Sequence, residues 1–540
     1  MQSSRHRCQG SPFLVSLPSA RRFTSGSLTG EVRALIGAEK TSRLMARVLF
    51  ITQDSAYPQM GVLYLADALR KKGIDSEIVA SGVSAEDLDA VVAMFKPDVV
   101  GMSVLTAPQV IDFERHSIFL KENYPNVKVV WGGNHPTLLT DLCLASPYID
   151  HVFVGQGEIV FPRLVADLVE GRAGVPRKIE GHGPPHLDDF EPAWDKDDIT
   201  RYLFSERHSV RSPDTRVKNI ISQSVAQIQK IVGRSGANGN GEADATIRDT
   251  IAALKKWDVG LYQTDKNLFY YLLTSRGCPY RCTFCSEPLQ VMHGDGAGKF
   301  LWNTHSVDWV RRQVETIRTI LAGSGHHLDG IGIWDDMFWI RYKTNPRAFD
   351  VLDYLAEEKL GYLIEARADQ LLANDFMLFR KLSETGCIQV FVGAESISQE
   401  TLNYMRKGTK AAEYKKLLEY ANRFHVALRM SFIIGFPGET DASVNATLDF
   451  CDAVNDGAYG PWVNISGPKI FTPYPGTEEY TRAVAAGFKA PATHAEWGHI
   501  NRSTEEYLRY FPWMRRNYST QTLERLERIF GAGYKTLVAH

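Results

Sequence analysis

Thr274-Ser275-Arg276-Gly277-Cys278-Pro279-Tyr280-Arg281-Cys282-Thr283-Phe284-Cys285 is the stretch whose reading decides the fold around it. Cys278, Cys282 and Cys285 stand in a C-x3-C-x2-C spacing. Three thiolates on one tight loop can hold three irons of a cubane iron–sulfur cluster, leaving the fourth iron free for a substrate or cofactor. An open position separates a catalytic metal site from a closed structural one, a rule stated for zinc whose logic carries over. Zinc is the competing reading; it calls for a fourth ligand at short spacing, and the next candidates are His293 and Cys387. A disulfide framework does not suit seven cysteines spread over 540 residues. Cys8, Cys143, Cys387 and Cys451 read as small buried apolar residues.

Downstream, strand-like runs recur, each followed by a helix-like stretch. Including the one that feeds the cysteine loop, they are Leu268–Thr274, Gly330–Trp334, Gly361–Glu365, Ile388–Val392, Ala427–Ile434 and Val463–Ile470. Repeated βα units predict a parallel, partial (β/α)6 barrel over 266–480, with chemistry at the carboxyl ends of its strands. Polar residues cluster at those ends: Asp335 and Asp336, Arg367, Glu395 and Ser396, then Gly435 through Glu439. Taken singly, the Asp335–Asp336 pair also reads as solvated loop charge, and Glu439 and Asp441 as first-turn acids that complement a helix dipole.

Upstream, residues 45–181 alternate apolar strands (Val48–Ile51, Ser76–Val79, Val99–Val104, Val127–Trp131, His151–Val154) with helical patterns such as Gly61–Lys72, Ala85–Phe95 and Val160–Glu170. This predicts a doubly wound, Rossmann-like parallel sheet covered on both faces, with ligand beyond the carboxyl ends. Candidate contacts there are Thr52, Tyr57 and Pro58 after the first strand, and Ser103, Leu105 and Thr106 after the third. Gly132, Gly133, Asn134 and His135 follow the fourth, and Gly155, Gln156, Gly157 and Glu158 the fifth. Glycines let backbone approach a large flat ligand, although plain turn chemistry also puts glycine after strands.

The remaining segments are less telling. Residues 1–44 are arginine- and serine-rich at the start, which fits either a disordered, transit-like leader or a start placed upstream of Met45. Residues 182–265 form a connector with helical stretches Val217–Val232 and Ala245–Trp257 around the flexible Gly233–Gly241. Residues 481–540 are a helical tail whose aromatics (Trp497, Phe511, Trp513 and Tyr518 among them) read as core. A net charge of −2 gives no reason to expect nucleic acid, and no apolar run reaches the ~20 residues of a membrane span. Free thiols and a low-potential cluster imply a reducing, cytoplasmic setting.

The cysteine motif, with Phe284 before the third cysteine, resembles the radical S-adenosylmethionine (radical SAM) superfamily, and the strand-end motifs match that superfamily from Leu268 to Thr477. The segments Gly132-Gly133-Asn134-His135-Pro136-Thr137 and Gly155-Gln156-Gly157-Glu158 resemble the cobalamin-binding domain that precedes it in one large subgroup. The resemblance implies a [4Fe-4S] cluster, S-adenosylmethionine and cobalamin as cofactors, and an external low-potential donor of the flavodoxin or ferredoxin type. It places Phe284, Asp335, Asp336, Arg367, Glu395, Ser396 and Gly435 around S-adenosylmethionine. The D-x-H-x-x-G cobalt-ligand motif is missing, since no histidine lies between Asp54 and Gly61, so a base-off cobalamin without a protein histidine is expected. The implied activity is methylation of an unactivated carbon of a small natural-product or lipid precursor. Cyclisation, ring rearrangement or oxidation without methyl transfer is the alternative, and a non-enzymatic sensor a remoter one.

Overall fold

The structure, a computed structural model, describes residues 46–55, 58–196, 204–205, 268–287, 302–340, 346–500 and 509–530. The leader, Tyr57, and the connector stretches Val217–Val232, Gly233–Gly241 and Ala245–Trp257 lie outside the described residues.

The first sheet is built from strands too apolar to leave either face in water. It comprises β1 (Arg47–Thr52), β2 (Asp75–Ala80), β3 (Val99–Ser103), β4 (Lys128–Gly132), β5 (His151–Val154) and β6 (Lys178–Glu180), all parallel, in the order β2-β1-β3-β4-β5-β6. Between them run α1 (Met60–Arg70), α2 (Ala85–Phe95), α3 (Val110–Asn123), α4 (Asn134–Leu138), α5 (Thr140–Ala145) and α6 (Phe161–Val169). Side chains alternate across the sheet. Leu49, Ile51, Val100 and Met102 pack with Leu88 and Val92 of α2 and Phe113 and Leu120 of α3. Val48, Phe50, Val99 and Val130 pack with Val62 and Leu69 of α1 and Phe161 and Val165 of α6. Each such side chain contributes about 1.5–3 kcal/mol on burial. The chain leaves β1 to form β2 on one side and returns to form β3 on the other, which creates a switch point, the usual ligand crevice of such sheets. The sequence reading missed β6: it has three residues, Lys178, Ile179 and Glu180, and only Ile179 is buried.

The second sheet holds β7 (Phe204–Ser205), β8 (Leu268–Leu272), β11 (Gly330–Ile333), β12 (Gly361–Arg367), β13 (Cys387–Glu395), β14 (Ala427–Ile434) and β15 (Val463–Ile470), in the order β15-β14-β13-β12-β11-β8-β7. The six expected strands are parallel, as a partial (β/α)6 barrel requires. The seventh, β7, is an antiparallel edge contributed by the connector, a pairing that the sequence did not signal. The first strand is shorter than read: after Leu272 the chain bends, and β9 (Ser275–Arg276) pairs antiparallel with β10 (Asn303–Thr304). Helices α7 (Val307–Gly323), α8 (Pro346–Glu357), α9 (Ala368–Leu371), α10 (Met377–Glu384), α11 (Gln399–Tyr404), α12 (Tyr414–Phe424), α13 (Asp441–Asn455) and α14 (Glu478–Ala485) follow in turn. The tail adds α15 (His494–His499), α16 (Pro512–Asn517) and α17 (Thr520–Phe530). Trp497, Phe511, Trp513 and Tyr518 are buried, as core.

The carboxyl-end loops of the first sheet meet the start of the second. Glu158, after β5, contacts Arg276 of β9, and His135, after β4, contacts His494 of α15. Away from these ends, Trp194 Nε1 donates to Gln313 Oε1 at 2.9 Å and Ala193 N–H to Leu63 O at 3.1 Å.

Candidate active site

The cysteine loop is pinned from several sides. Asp335, after β11, is fully buried and accepts from Thr274 N–H at 2.5 Å, Thr274 Oγ1 at 2.6 Å and Ser275 Oγ at 2.8 Å. Asp336 accepts from Gly277 N–H at 3.1 Å. Farther along, Thr283 N–H donates to Met405 O at 3.0 Å and Thr283 Oγ1 to Glu479 Oε2 at 3.0 Å. The ring of Phe284 sits 5.8 Å from that of Phe436, edge to face. Burial pushes the Cys278 thiol up to about 11 and the Cys285 thiol up to about 12, so binding iron there releases protons. The donor set fits the cluster: three half-buried thiols on one braced loop, with a cation beside one of them.

That cation is Arg367. Its guanidinium stacks 3.7 Å over the Tyr280 ring, its Nη1 lies 3.6 Å from Cys282 Sγ, and it pairs with Asp369 at 2.9 Å and with Lys407 O. It therefore sits beside the cysteine loop, already paired with Asp369 and Lys407 O. Two more of the expected contacts also have partners within the protein. Asp335 accepts from Thr274 and Ser275, bonds that brace the entry to the cysteine loop. Ser396 is fully buried, donates or accepts with Thr447 Oγ1 at 3.3 Å and accepts from Ser398 N–H at 3.1 Å, where it braces the start of α11. Gly435, with φ +91°, has its N–H on Glu439 Oε2 at 2.7 Å and its carbonyl on Trp513 Nε1 at 2.9 Å.

Glu395 stands at the carboxyl end of β13. It ends β13 at a register irregularity with φ +67°, a left-handed conformation that costs a non-glycine residue energy and re-aims its side chain. Its Oε1 accepts from Lys407 Nζ at 2.8 Å in a buried pair, and its Oε2 has no hydrogen-bond partner among the described residues. Sequence reasoning missed Lys407 and Glu365. Burial, and then the charge of Asp336, pushes the Glu365 carboxyl up to about 7. Glu365 shares a face of β12 with Arg367 two residues on, a period-2 signal that was legible once the strand was placed.

The first sheet has a small open cleft at its carboxyl ends, lined by residues including Phe50, Val62, Leu65, Gly101, Ser103, Gly132, Gly133, Gly155 and Gly157. Its glycines are demanded by close packing within the protein itself. A Cβ on Gly101 would lie 3.0 Å from the Phe50 ring, one on Gly157 2.8 Å from Leu65, and one on Gly133 (φ +93°) 3.0 Å from the Val104 carbonyl oxygen. The cleft opens at the carboxyl ends of the strands, where the order β2-β1-β3 reverses and such sheets take their ligands. Of the contacts expected from sequence, Ser103, Gly132, Gly133, Gly155 and Gly157 line this cleft, while Thr52, Pro58, Leu105, Thr106, Asn134, His135, Gln156 and Glu158 are not among the residues lining it. Gln156 and Glu158 turn instead to Arg276.

His135 is wholly buried: Nδ1 faces Thr106 Oγ1 at 3.1 Å and Nε2 faces His494 Nδ1 at 2.9 Å. Cys143 lies close by, within 4.8 Å of both imidazoles. Burial holds His135 down to about 3 and His494 down to about 4, so both rings are neutral.

Comparison with known proteins agrees with both halves. The B12 binding domain model matches residues 46–165 and the Radical SAM superfamily model residues 272–451. The chain is 28% identical over 434 residues to an uncharacterized methyltransferase of Pyrococcus horikoshii, covering 79% of each. It is 23% identical over 427 residues to the anaerobic magnesium-protoporphyrin IX monomethyl ester cyclase of Rubrivivax gelatinosus, covering 75% of this chain and 65% of the cyclase. Among solved structures, the radical S-adenosylmethionine methyltransferase TsrM from Kitasatospora setae, bound to tryptophan and a SAM analogue, superposes with a TM-score of 0.53 at 16% identity, covering 84% of this chain and 82% of that one. A B12-binding sheet followed by a radical SAM barrel defines the class. The chain belongs to the cobalamin-dependent radical SAM enzymes.

Proposed function

We propose that this enzyme methylates an unactivated carbon of a small molecule. When bound, the cluster with S-adenosylmethionine supplies a carbon-centred radical, and cobalamin supplies the methyl group. Cys278, Cys282 and Cys285 would hold the cluster, and the Gly101–Gly133–Gly157 cradle the cobalamin tail. Asp336, the free oxygen of Glu395, Phe284 and the Cα face of Gly435 would border S-adenosylmethionine. Arg367 and Lys407 set positive charge beside the cysteines, which favours the electron-rich state of a cluster held there. Glu365, poised near neutrality, can hold or accept a proton in the barrel mouth.

The observation that carries the reading is the meeting of a glycine-walled cleft with a braced three-cysteine loop through Glu158 and Arg276. Such a juncture holds substrate between two reactive centres, where orientation supplies much of the rate. A low-potential flavodoxin- or ferredoxin-type donor would deliver the electrons, in a reducing compartment such as the cytoplasm, and the net charge does not favour nucleic acid as substrate. No helix among the described residues is long and apolar enough to cross a membrane. Anaerobic turnover with methyl-labelled S-adenosylmethionine and candidate natural-product or lipid precursors tests the proposal. A product carrying the label and heavier by one methylene is expected. Consumption of substrate with no label gained would assign the enzyme to ring-forming or oxidative chemistry instead.

A further inference from the structure

Arg276 stands two residues before Cys278, at the mouth of the cysteine loop. Its Nη1 lies 2.5 Å from Glu158 Oε1 and 3.3 Å from Gln156 Oε1, and its guanidinium caps the Tyr64 ring at 4.4 Å. The side chains of Arg276 and Glu158 are 15% and 4% exposed. Gly155 and Gly157, which wall the cleft, flank Gln156 and immediately precede Glu158. Tyr64, on α1 beneath them, is fixed by His305 Nε2 at 3.1 Å, and His305 Nδ1 in turn faces Asp188 at 3.0 Å. One ion pair thus ties the loop of the cysteines to the loop of the glycines.

A buried ion pair is a poor device for stability, because desolvation offsets most of its Coulomb attraction and apolar residues of similar volume do as well or better. Its best-attested use is to specify a register. Elsewhere the sheets are held by the Trp194–Gln313 and His135–His494 contacts, so they do not depend on this pair to stay docked. We propose that Arg276 and Glu158 are positioning residues whose paired charges fix the register between the cysteine loop and the glycine-walled cleft, and with it the separation of the cluster from cobalamin. This rests on the function proposed above.

The test uses the full chain, reconstituted without air with iron, sulfide and hydroxocobalamin and then reduced, with no substrate required. Relaxation of the cob(II)alamin electron-spin signal by the reduced cluster reports their separation. The unmodified protein should give a single component. Glu158→Gln, which keeps the shape and loses the charge, and Arg276→Lys, which keeps the charge and loses the fork, should each lose that single component while retaining iron and cobalt. The exchanged pair Arg276→Glu with Glu158→Arg should recover it in part. A single, unshifted component in both single variants at full metal content would overturn the proposal. Failure of the unmodified protein to hold iron or cobalt would instead overturn the functional reading, and this one with it.

Discussion

At the carboxyl end of the first sheet the strands finish in Gly132, Gly133, Gly155 and Gly157, and among the described residues the cleft they line carries no charged side chain. At the carboxyl end of the second they finish in Asp336, Arg367 and Glu395, with Lys407 and Glu365 close by. Both are parallel sheets used at the same end, yet one site is made by removing side chains and the other by crowding charged ones together. The contrast matches the ligands each can take. A bulky ligand inserted edge-on is recognised by the room left for it, whereas a small zwitterion and a metal cluster need thiolates and fixed charge.

The comparison can be broken most sharply at the second site. Cys282→Ala should abolish the iron–sulfur absorbance and all 5′-deoxyadenosine formation while leaving cobalamin bound. At the first site, Gly133→Val forces a branched side chain into a left-handed backbone against the Val104 carbonyl oxygen. That strain is about 1–3 kcal/mol, so cobalt content after reconstitution should fall on the order of tenfold or more with iron unchanged, as metal analysis would show. Loss of both metals together would mean that the two sites are not separable.

Asp335→Asn sharpens the difference between a carboxylate that braces and one that faces ligand. Losing one acceptor among three buried donors should cost about 1–3 kcal/mol, read as a lower melting temperature and reduced iron uptake. The smallest effect concerns pH. His135 and His494 stay neutral in the folded protein down to about 3 and about 4, against an ordinary value of 6.5. The unfolded chain therefore binds more protons between these values, so their contribution to stability is whole above about 6.5 and declines as pH falls toward 4. Hydrogen-exchange protection across α15, taken relative to the intrinsic exchange rate at each pH, should fall between pH 7 and pH 5, and His494→Phe should flatten that dependence.

Much of this architecture was legible because short apolar runs such as Val48–Ile51, set between helical patterns, read as strands buried on both faces. The cysteine loop was legible because its ligands are local in sequence. What escaped was everything set by register between distant segments. Arg276 and Glu158 are 118 residues apart and His135 and His494 are 359 apart, and nothing in either neighbourhood names the other. Asp335 and Asp336 are alike as residues; the one-residue alternation of the chain turns the first inward to Thr274 and leaves the second at the edge. Arg367 looked like a carboxylate partner because its charge was visible and Cys282, beside it in space, was not.

The most direct measurement is reductive cleavage of S-adenosylmethionine by the protein purified and reconstituted without air. A site-differentiated cubane on Cys278, Cys282 and Cys285 predicts a [4Fe-4S] signal that shifts when S-adenosylmethionine is added, with 5′-deoxyadenosine released under strong reductant. Zinc on those thiols, or S-adenosylmethionine left intact under the same reductant, would contradict it.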